Sequence, residues 1–182
     1  MTRKINWIGI LRIWPVLVLM LGLAAVTVSA EPRKQAPSLA DEVRHQLRML
    51  PYYSVFDELG FTIKDAHTVV LTGEVTRPIV KADAEGTVRH IEGVEKVINN
   101  IEVLPLSHFD DSIRLATYRA IFSRPGFEKY AIQAVSPIRI IVKNGNVTLD
   151  GVVGSQFDKT LARIAAGSVP GVFSVTDNLT IG

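Results

Sequence analysis

The feature that most constrains the fold of this chain is an internal repeat. A shift of 78 residues places residues 66–104 on residues 144–182 without a gap, and ten of the 39 aligned pairs are identical. Unrelated segments of ordinary composition would share roughly two or three. The identical pairs are Val69/Val147, Leu71/Leu149, Gly73/Gly151, Val75/Val153, Lys81/Lys159, Ala84/Ala162, Gly93/Gly171, Val94/Val172, Val97/Val175 and Asn100/Asn178. Two copies of so long a period indicate two complete small domains rather than a solenoid.

Each copy carries the same order of helix and strand signals. In the first copy, Ser38 and Asp41 predict a capped helix start. Residues 61–64 and 69–75 place apolar side chains at every second position, which predicts two paired strands. A second helix, with apolar residues at helical spacing, and a last strand follow.

The second copy repeats this order. Asn144 and Gly145 are typical of a two-residue hairpin turn, and Ser155 with Asp158 repeats the helix cap. About eight extra residues precede its sheet, around residues 123–137. We therefore predict an α+β fold of two tandem αββαβ modules, each a three-stranded mixed sheet covered by two helices, after an N-terminal signal segment.

Four glycines recur at equivalent positions of the two copies. Gly73 and Gly151 lie within strands, where glycine costs roughly 0.5 to 1 kcal/mol relative to alanine. We expect a structural reason, either a close helix approach or a bulge, and a ligand-facing backbone is the alternative. Gly93 and Gly171 are expected to end the second helices in the left-handed conformation.

Asn99 and Asp177 interrupt the apolar pattern of the two last strands. Each falls between apolar residues that share one face of its strand. A bulge, or a side chain that caps nearby backbone groups, would explain a polar residue at this position.

The first thirty residues are typical of a secretory signal peptide. An uncharged run, residues 13–30, ends in the small residues that signal peptidase recognises. The basic residues before or near its start are Arg3, Lys4 and Arg12. An uncleaved anchor is the alternative, because this run of 18 residues is near the lower limit for spanning a bilayer. Both interpretations predict export to the periplasm, with inner-membrane anchoring if the leader is not cleaved.

These signals predict the domain organisation of the whole chain. The segments are a signal peptide or anchor at 1–30, a flexible leader at 31–37, a first domain at 38–104, a linker at 105–109 and a second domain at 110–182.

Charge and composition exclude several classes of function. Beyond residue 30 the chain carries 17 Lys and Arg against 18 Asp and Glu, so a globally basic surface for nucleic acid is not expected. No cysteine is present, which excludes disulfides and thiolate metal sites. The four histidines lack metal-binding spacing, and no nucleophile or phosphate-loop motif occurs. We therefore expect no cofactor, no metal and no enzymatic activity.

Both copies resemble the BON domain family. In the second copy the resemblance is carried by residues 146–153, NVTLDGVV, the capped helix after them, and residues 169–172, VPGV. The first copy is similar through residues 69–75 and 91–94. The resemblance implies a tandem, non-catalytic protein of the periplasm or envelope that binds phospholipid or envelope partners.

One segment of the second copy has the chemistry of a membrane-contacting surface. Within residues 114–130, cations are interleaved with aromatic side chains, a combination that suits lipid phosphates and the bilayer interface. The candidate lipid-binding or partner-binding residues are Arg114, Tyr118, Arg119, Phe122, Arg124, Phe127, Lys129 and Tyr130. The alternative is that the aromatic side chains pack on the sheet and the cations are solvated, since Arg114 and Arg119 do not share a helix face.

Two functional hypotheses follow from these observations. The first is a protein that contacts anionic phospholipid or the membrane surface and supports envelope integrity or tolerance of stress, including osmotic stress. The second is a soluble interaction module that docks on envelope proteins or on itself.

Overall fold

The computed structural model describes residues 37–182, so the predicted signal peptide and residues 31–36 of the leader lie outside the described residues. The described part forms two tandem modules. Module 1 contains α1 (Leu39–Arg48), β1 (Glu58–Lys64), β2 (Thr68–Val75), α2 (Pro78–Arg89), β3 (Lys96–Asn99) and β4 (Glu102–Val103). Module 2 contains α3 (His108–Phe122), α4 (Glu128–Ala131), β5 (Ile138–Lys143), β6 (Asn146–Val153), α5 (Gln156–Gly167) and β7 (Ser174–Ile181).

Each module has its own mixed sheet with the same topology. In module 1, β2 pairs antiparallel with β1 and parallel with β3 and β4. In module 2, β6 pairs antiparallel with β5 and parallel with β7. Helices α2 and α5 make the crossovers to the parallel strands. The predicted α+β fold of two tandem modules is confirmed, with two differences: the last strand of module 1 is divided into β3 and β4, which gives that sheet four strands, and module 2 has the additional short helix α4.

Each sheet closes a separate hydrophobic core with its helices. Apolar residues at helical spacing on α1 and α2 meet alternate residues of β2 in module 1, and α3 and α5 do the same over β5 and β6 in module 2. The core of module 1 includes Val43, Leu47, Val69, Leu71, Val80, Ala84 and Val88. The core of module 2 includes Ile113, Ile121, Phe127, Ile140, Val147, Leu149, Ala162 and Ala166.

Serine caps begin three of the long helices. Each cap hydroxyl accepts a hydrogen bond from the backbone N–H three residues on, in the pairs Ser38/Asp41, Ser107/Asp110 and Ser155/Asp158. Helix α2 differs, because Arg77 makes no side-chain cap and Pro78 occupies the first turn.

The glycines expected to end the second helices lie beyond the helix ends. Helix α2 ends at Arg89 and α5 at Gly167, so the placement of the helix ends at Gly93 and Gly171 was wrong by about one turn. Both glycines have φ +89° in the turn that leads to the next strand. The left-handed conformation therefore serves the turn rather than the helix cap.

The strand glycines allow a close approach between backbones. Gly73 and Gly151 have φ values of +118° and +125°, which L side chains rarely adopt. A Cβ at Gly73 would lie 2.1 Å from the carbonyl oxygen of Glu58, and one at Gly151 would lie 1.9 Å from that of Pro137. The close neighbour in each module is backbone at the start of the paired strand, β1 or β5, so the expected close approach of a helix was wrong.

The polar residues in the last strands cap the backbone. The side-chain Oδ1 of Asn99 accepts from the N–H of Ile101 at 3.1 Å, and Oδ1 of Asp177 accepts from the N–H of Leu179 at 3.1 Å. In module 1 the strand is interrupted between β3 and β4 near this point, whereas β7 of module 2 is continuous. The capping interpretation therefore holds in both modules.

The modules differ most before their sheets. Helix α3 has 15 residues where α1 has 10, and the extra loop of module 2 includes α4. Within residues 37–182, no helix has both the length and the apolar character needed to cross a bilayer.

Candidate functional site

The structure divides the eight candidate residues by burial. Four of them are buried in module 2, namely Arg114, Phe122, Phe127 and Tyr130. Tyr118 and Arg124 are half-buried, and Arg119 and Lys129 are exposed. The buried aromatic members pack in the core of module 2, as the packing alternative predicts, and their rings cannot face a membrane in this conformation.

Arg114 ties α3 to the sheet. Its Nη2 donates to the carbonyl oxygen of Val142 on β5 at 2.7 Å, and its Nη1 pairs with Asp111. The guanidinium is almost completely buried. A cation held in this way supports packing and is withdrawn from lipid phosphates.

Lys129 and Tyr130 belong to a second internal cluster, around Asp158. The Tyr130 hydroxyl donates to Asp158 Oδ2 at 2.6 Å and accepts from the N–H of Gly154 at 2.7 Å. Lys129 Nζ lies 2.9 Å from the same carboxylate oxygen. The hydrogen bond from Tyr130, followed by that from Lys129, lowers the pKa of Asp158, and the bond to Asp158 raises the pKa of Lys129. The cluster joins α4 to the start of α5.

An aromatic tip, which the sequence analysis did not single out, lies at the hairpin end of module 2. We define it as Phe109 and Phe173, whose ring centroids are 6.3 Å apart. Phe109 is 50% exposed and Phe173 is 75% exposed. A sequence signal existed, since the repeat aligns Phe173 with Glu95, an aromatic residue against an acidic one.

The aromatic tip stands on a rigid turn. The carboxylate of Asp110 accepts from the N–H groups of Asn144 and Gly145 at 2.9 and 2.8 Å, which fastens α3 to the hairpin. The N–H of Phe173 donates to the carbonyl oxygen of Gly145 at 2.9 Å. The two exposed rings therefore lie over hydrogen-bonded turns, Phe173 against Gly145 and Phe109 against Gly171.

Residues 53–57 of module 1, here called the docking segment, contact the outer edge of β5 in module 2. The carbonyl oxygen of Val55, which lies in a turn, accepts from the N–H of Ile140 on the outer edge of β5 at 2.9 Å. The side chains of Val55 and Phe56 pack against the core of module 2, and Phe56 meets Tyr118 edge to face. A turn of one module thus contacts the sheet edge of the other through one backbone hydrogen bond and packed side chains.

Arg139 and Asp57 hold the docking segment in place. Arg139 is buried, donates to the carbonyl oxygen of Ser54 at 2.9 Å and lies 4.4 Å from the centroid of the Tyr53 ring. The buried carboxylate of Asp57 accepts from the N–H and hydroxyl groups of Ser54 and Thr76. Neither residue was predicted from the sequence, because Arg139 acts across the contact between modules and Asp57 bonds Thr76, which lies 19 residues along the chain.

A groove of about 430 Å³ opens beside this junction, and we call it the junction groove. Its walls come from α1 and β1 of module 1 and from residues 133–139 and 151–152 of module 2. Burial raises the pKa of Glu58 at its edge, and the positive charge of Arg139 only partly offsets this. Within residues 37–182 no cluster of His, Asp and Glu could hold a metal ion.

The comparisons with known proteins bear on both modules. The BON domain family model matches residues 37–105 and 126–182. The chain belongs to the BON domain family. The second match begins after α3, so the helix that carries half of the candidate residues lies outside it. BON domain proteins are generally non-catalytic components of the envelope, which supports a non-enzymatic envelope protein here.

Two solved structures are similar to this BON domain chain, both of CdsD, described as a structural protein of the type III secretion system of Chlamydia trachomatis. One, a C-terminal domain, has 12% identity and a TM-score of 0.29, over 81% of this chain and 98% of that one. The other has 13% identity and a TM-score of 0.30, over 80% and 93%. No curated protein matches the chain.

Proposed function

We propose that this protein is an exported periplasmic protein whose module 2 contacts anionic phospholipid and thereby supports envelope integrity and tolerance of stress. The observation that carries the proposal is the aromatic tip, Phe109 and Phe173, which is exposed on a fixed turn. Exposed phenyl rings on a rigid support suit the interfacial region of a bilayer. Module 1 has Glu95 at the position of Phe173.

The exposed side of α3 adds an apolar residue and a cation. Leu115 is 48% exposed, and Arg119 follows it by four residues on the same side of the helix. Within residues 37–182, Arg119 forms no ion pair. The unpaired guanidinium of Arg119 can meet a lipid phosphate while the neighbouring side chain of Leu115 contacts the boundary with the acyl chains.

The size of these contributions predicts a reversible contact. Burial of one phenyl ring stabilises the bound state by up to about 3 kcal/mol. One cation near an anionic membrane surface adds about 1 kcal/mol. These magnitudes support peripheral binding that depends on anionic lipid and on salt, rather than stable insertion.

Vesicle flotation tests the proposal on the exported protein. We expect it to float with vesicles of phosphatidylglycerol and phosphatidylethanolamine, and far less with phosphatidylcholine alone. Phe173→Ser should weaken binding to anionic vesicles about tenfold, because a phenyl ring that enters the interface is lost. Phe157→Ser is the matched control, since Phe157 is 72% exposed on α5, away from the aromatic tip.

Two outcomes would contradict the lipid proposal. Equal absence of binding to both vesicle types would remove it, and the alternative of docking on envelope proteins would then be favoured. Equal loss in Phe173→Ser and Phe157→Ser would show that general apolarity, not the aromatic tip, carries binding.

A further inference from the structure

The outer edge of β1 in module 1 is the counterpart of the edge that the docking segment contacts in module 2. The strand registers make Phe61 equivalent to Ile140, because each stands opposite the matching leucine of the central strand, Leu71 or Leu149. Ile140 donates its N–H to Val55. Within the described part of the chain, β1 pairs with β2 alone. The same strand position therefore has a hydrogen bond to the other module in module 2 and, among the described residues, no strand partner on its outer side in module 1.

The junction groove lies along this open edge. Leu59, Gly60 and Phe61 of β1 contribute to its wall. The position of Gly60 is occupied in module 2 by Arg139, whose side chain reaches the docking segment. Because Gly60 has no side chain, another backbone can approach β1 closely at this point. A volume of about 430 Å³ is within the range of binding pockets.

The charge of the junction groove is positive. Three arginines line it, Arg44, Arg48 and Arg139, against the single carboxylate of Glu58. Arg139 is engaged at the junction, and Arg44 forms an exposed pair with Asp41. Arg48 is exposed and forms no ion pair within residues 37–182. The groove therefore complements acidic side chains next to a strand edge.

We propose that the junction groove binds an extended, acidic segment of a partner protein, which adds to β1 as an edge strand and directs its carboxylates at Arg44 and Arg48. Backbone hydrogen bonds to β1 supply affinity, and the arginines select charge. The chain itself shows that this edge position can bond another segment, since the equivalent N–H in module 2, that of Ile140, donates to the carbonyl oxygen of Val55. This site involves neither the aromatic tip nor α3, so it does not depend on lipid binding.

Fluorescence anisotropy with synthetic peptides tests this inference on the exported protein. The probe is a capped, labelled heptapeptide, Thr-Val-Glu-Val-Glu-Val-Thr. Two matched peptides replace both glutamates by lysine, or carry N-methyl groups on alternate backbone nitrogens. We expect the acidic peptide to bind, and each matched peptide to bind about tenfold more weakly, because one loses charge complementarity and the other loses strand pairing.

Variants of the protein locate the binding. Arg48→Glu should weaken binding of the acidic peptide about tenfold. The control Arg163→Glu makes the same charge change at an exposed position of α5 and should leave the affinity unchanged. Equal binding of the acidic and lysine peptides would overturn the proposal, and so would no binding of any peptide at 1 mM, roughly the weakest affinity of interest. Self-association of the protein that Arg48→Glu abolishes would assign the groove to a second copy instead.

Discussion

Modules 1 and 2 have the same strand order and the same positive-φ glycine in the central strand, yet their surfaces differ at two equivalent places. At the turn end, module 2 exposes Phe173 where module 1 has Glu95. At the outer edge, β5 forms a hydrogen bond with the docking segment, whereas β1 faces the junction groove. The repeated core preserves the fold, and these two differences lie on the surface of the modules.

The largest effect we predict concerns what the modules share. Gly151→Ala should destabilise the protein by about 3 kcal/mol, because it combines an unfavourable positive φ with an overlap at the Pro137 carbonyl. Gly73→Ala should cost a similar amount in module 1. Gly86→Ala is the control, since a Cβ there meets nothing within 4 Å, and it should stabilise α2 by roughly 0.5 to 1 kcal/mol. Urea unfolding measures all three.

If Gly73→Ala and Gly151→Ala lower the free energy of unfolding by different amounts, the two strand glycines are not structurally equivalent. A cost below about 1 kcal/mol at either site would mean that the neighbouring segment moves away easily, and that the backbone approach is not tightly held.

The next prediction concerns the place where the modules meet. Arg139→Ala should destabilise the protein by about 2 kcal/mol, because it removes the hydrogen bond to Ser54 and the contact with the Tyr53 ring. Hydrogen exchange at the Ile140 amide should accelerate as the docking segment loosens. Arg163→Ala, an exposed change in the same module, should stay within about 0.5 kcal/mol. Unchanged exchange at Ile140 would contradict the role of Arg139.

The repeated parts of the fold could be predicted from the sequence because their signals are local. The serine caps, the alternating strands and the capping role of Asn99 and Asp177 each depend on residues within a few positions. The ends of α2 and α5 relative to Gly93 and Gly171 were harder to predict, because helix ends depend on tertiary packing.

The candidate site could be predicted only in part, for a physical reason. Arg114 and Tyr130 are residue types that suit a membrane interface. Both are buried instead, because each forms a hydrogen bond to a residue 28 positions along the chain, Val142 or Asp158. The junction groove arises from two modules in contact, and no local pattern encodes that contact. The sequence signal for the aromatic tip was that the repeat aligns an aromatic residue, Phe173, with an acidic one, Glu95.

Two carboxylates, one in each module, should respond to pH in opposite directions. In module 2 the hydrogen bond from Tyr130 lowers the pKa of Asp158 below its ordinary value of 3.8. The charged form is therefore stabilised by folding, and this stability is complete above pH 3.8 and lost as the pH falls through the lowered pKa. Asp158→Asn should lower the free energy of unfolding by about 1 kcal/mol at pH 7 and by less in strong acid. Thermal unfolding measured at a series of pH values tests this.

In module 1, burial raises the pKa of Glu58 above its ordinary value of 4.5, so the unfolded chain holds the charge more easily than the folded one. Its contribution to stability is present below pH 4.5 and is lost as the pH rises through the raised pKa. Because its side chain is 37% exposed and the Arg139 charge is 4.0 Å away, Glu58→Gln should stabilise the protein by only a few tenths of a kcal/mol at pH 7. That gain should vanish below pH 4.5, where the wild-type carboxyl is also neutral. If Glu58→Gln instead destabilises the protein at pH 7, attraction to Arg139 outweighs burial. The junction groove would then contain a firmly bound carboxylate, and its net positive charge would rest on Arg44 and Arg48 alone.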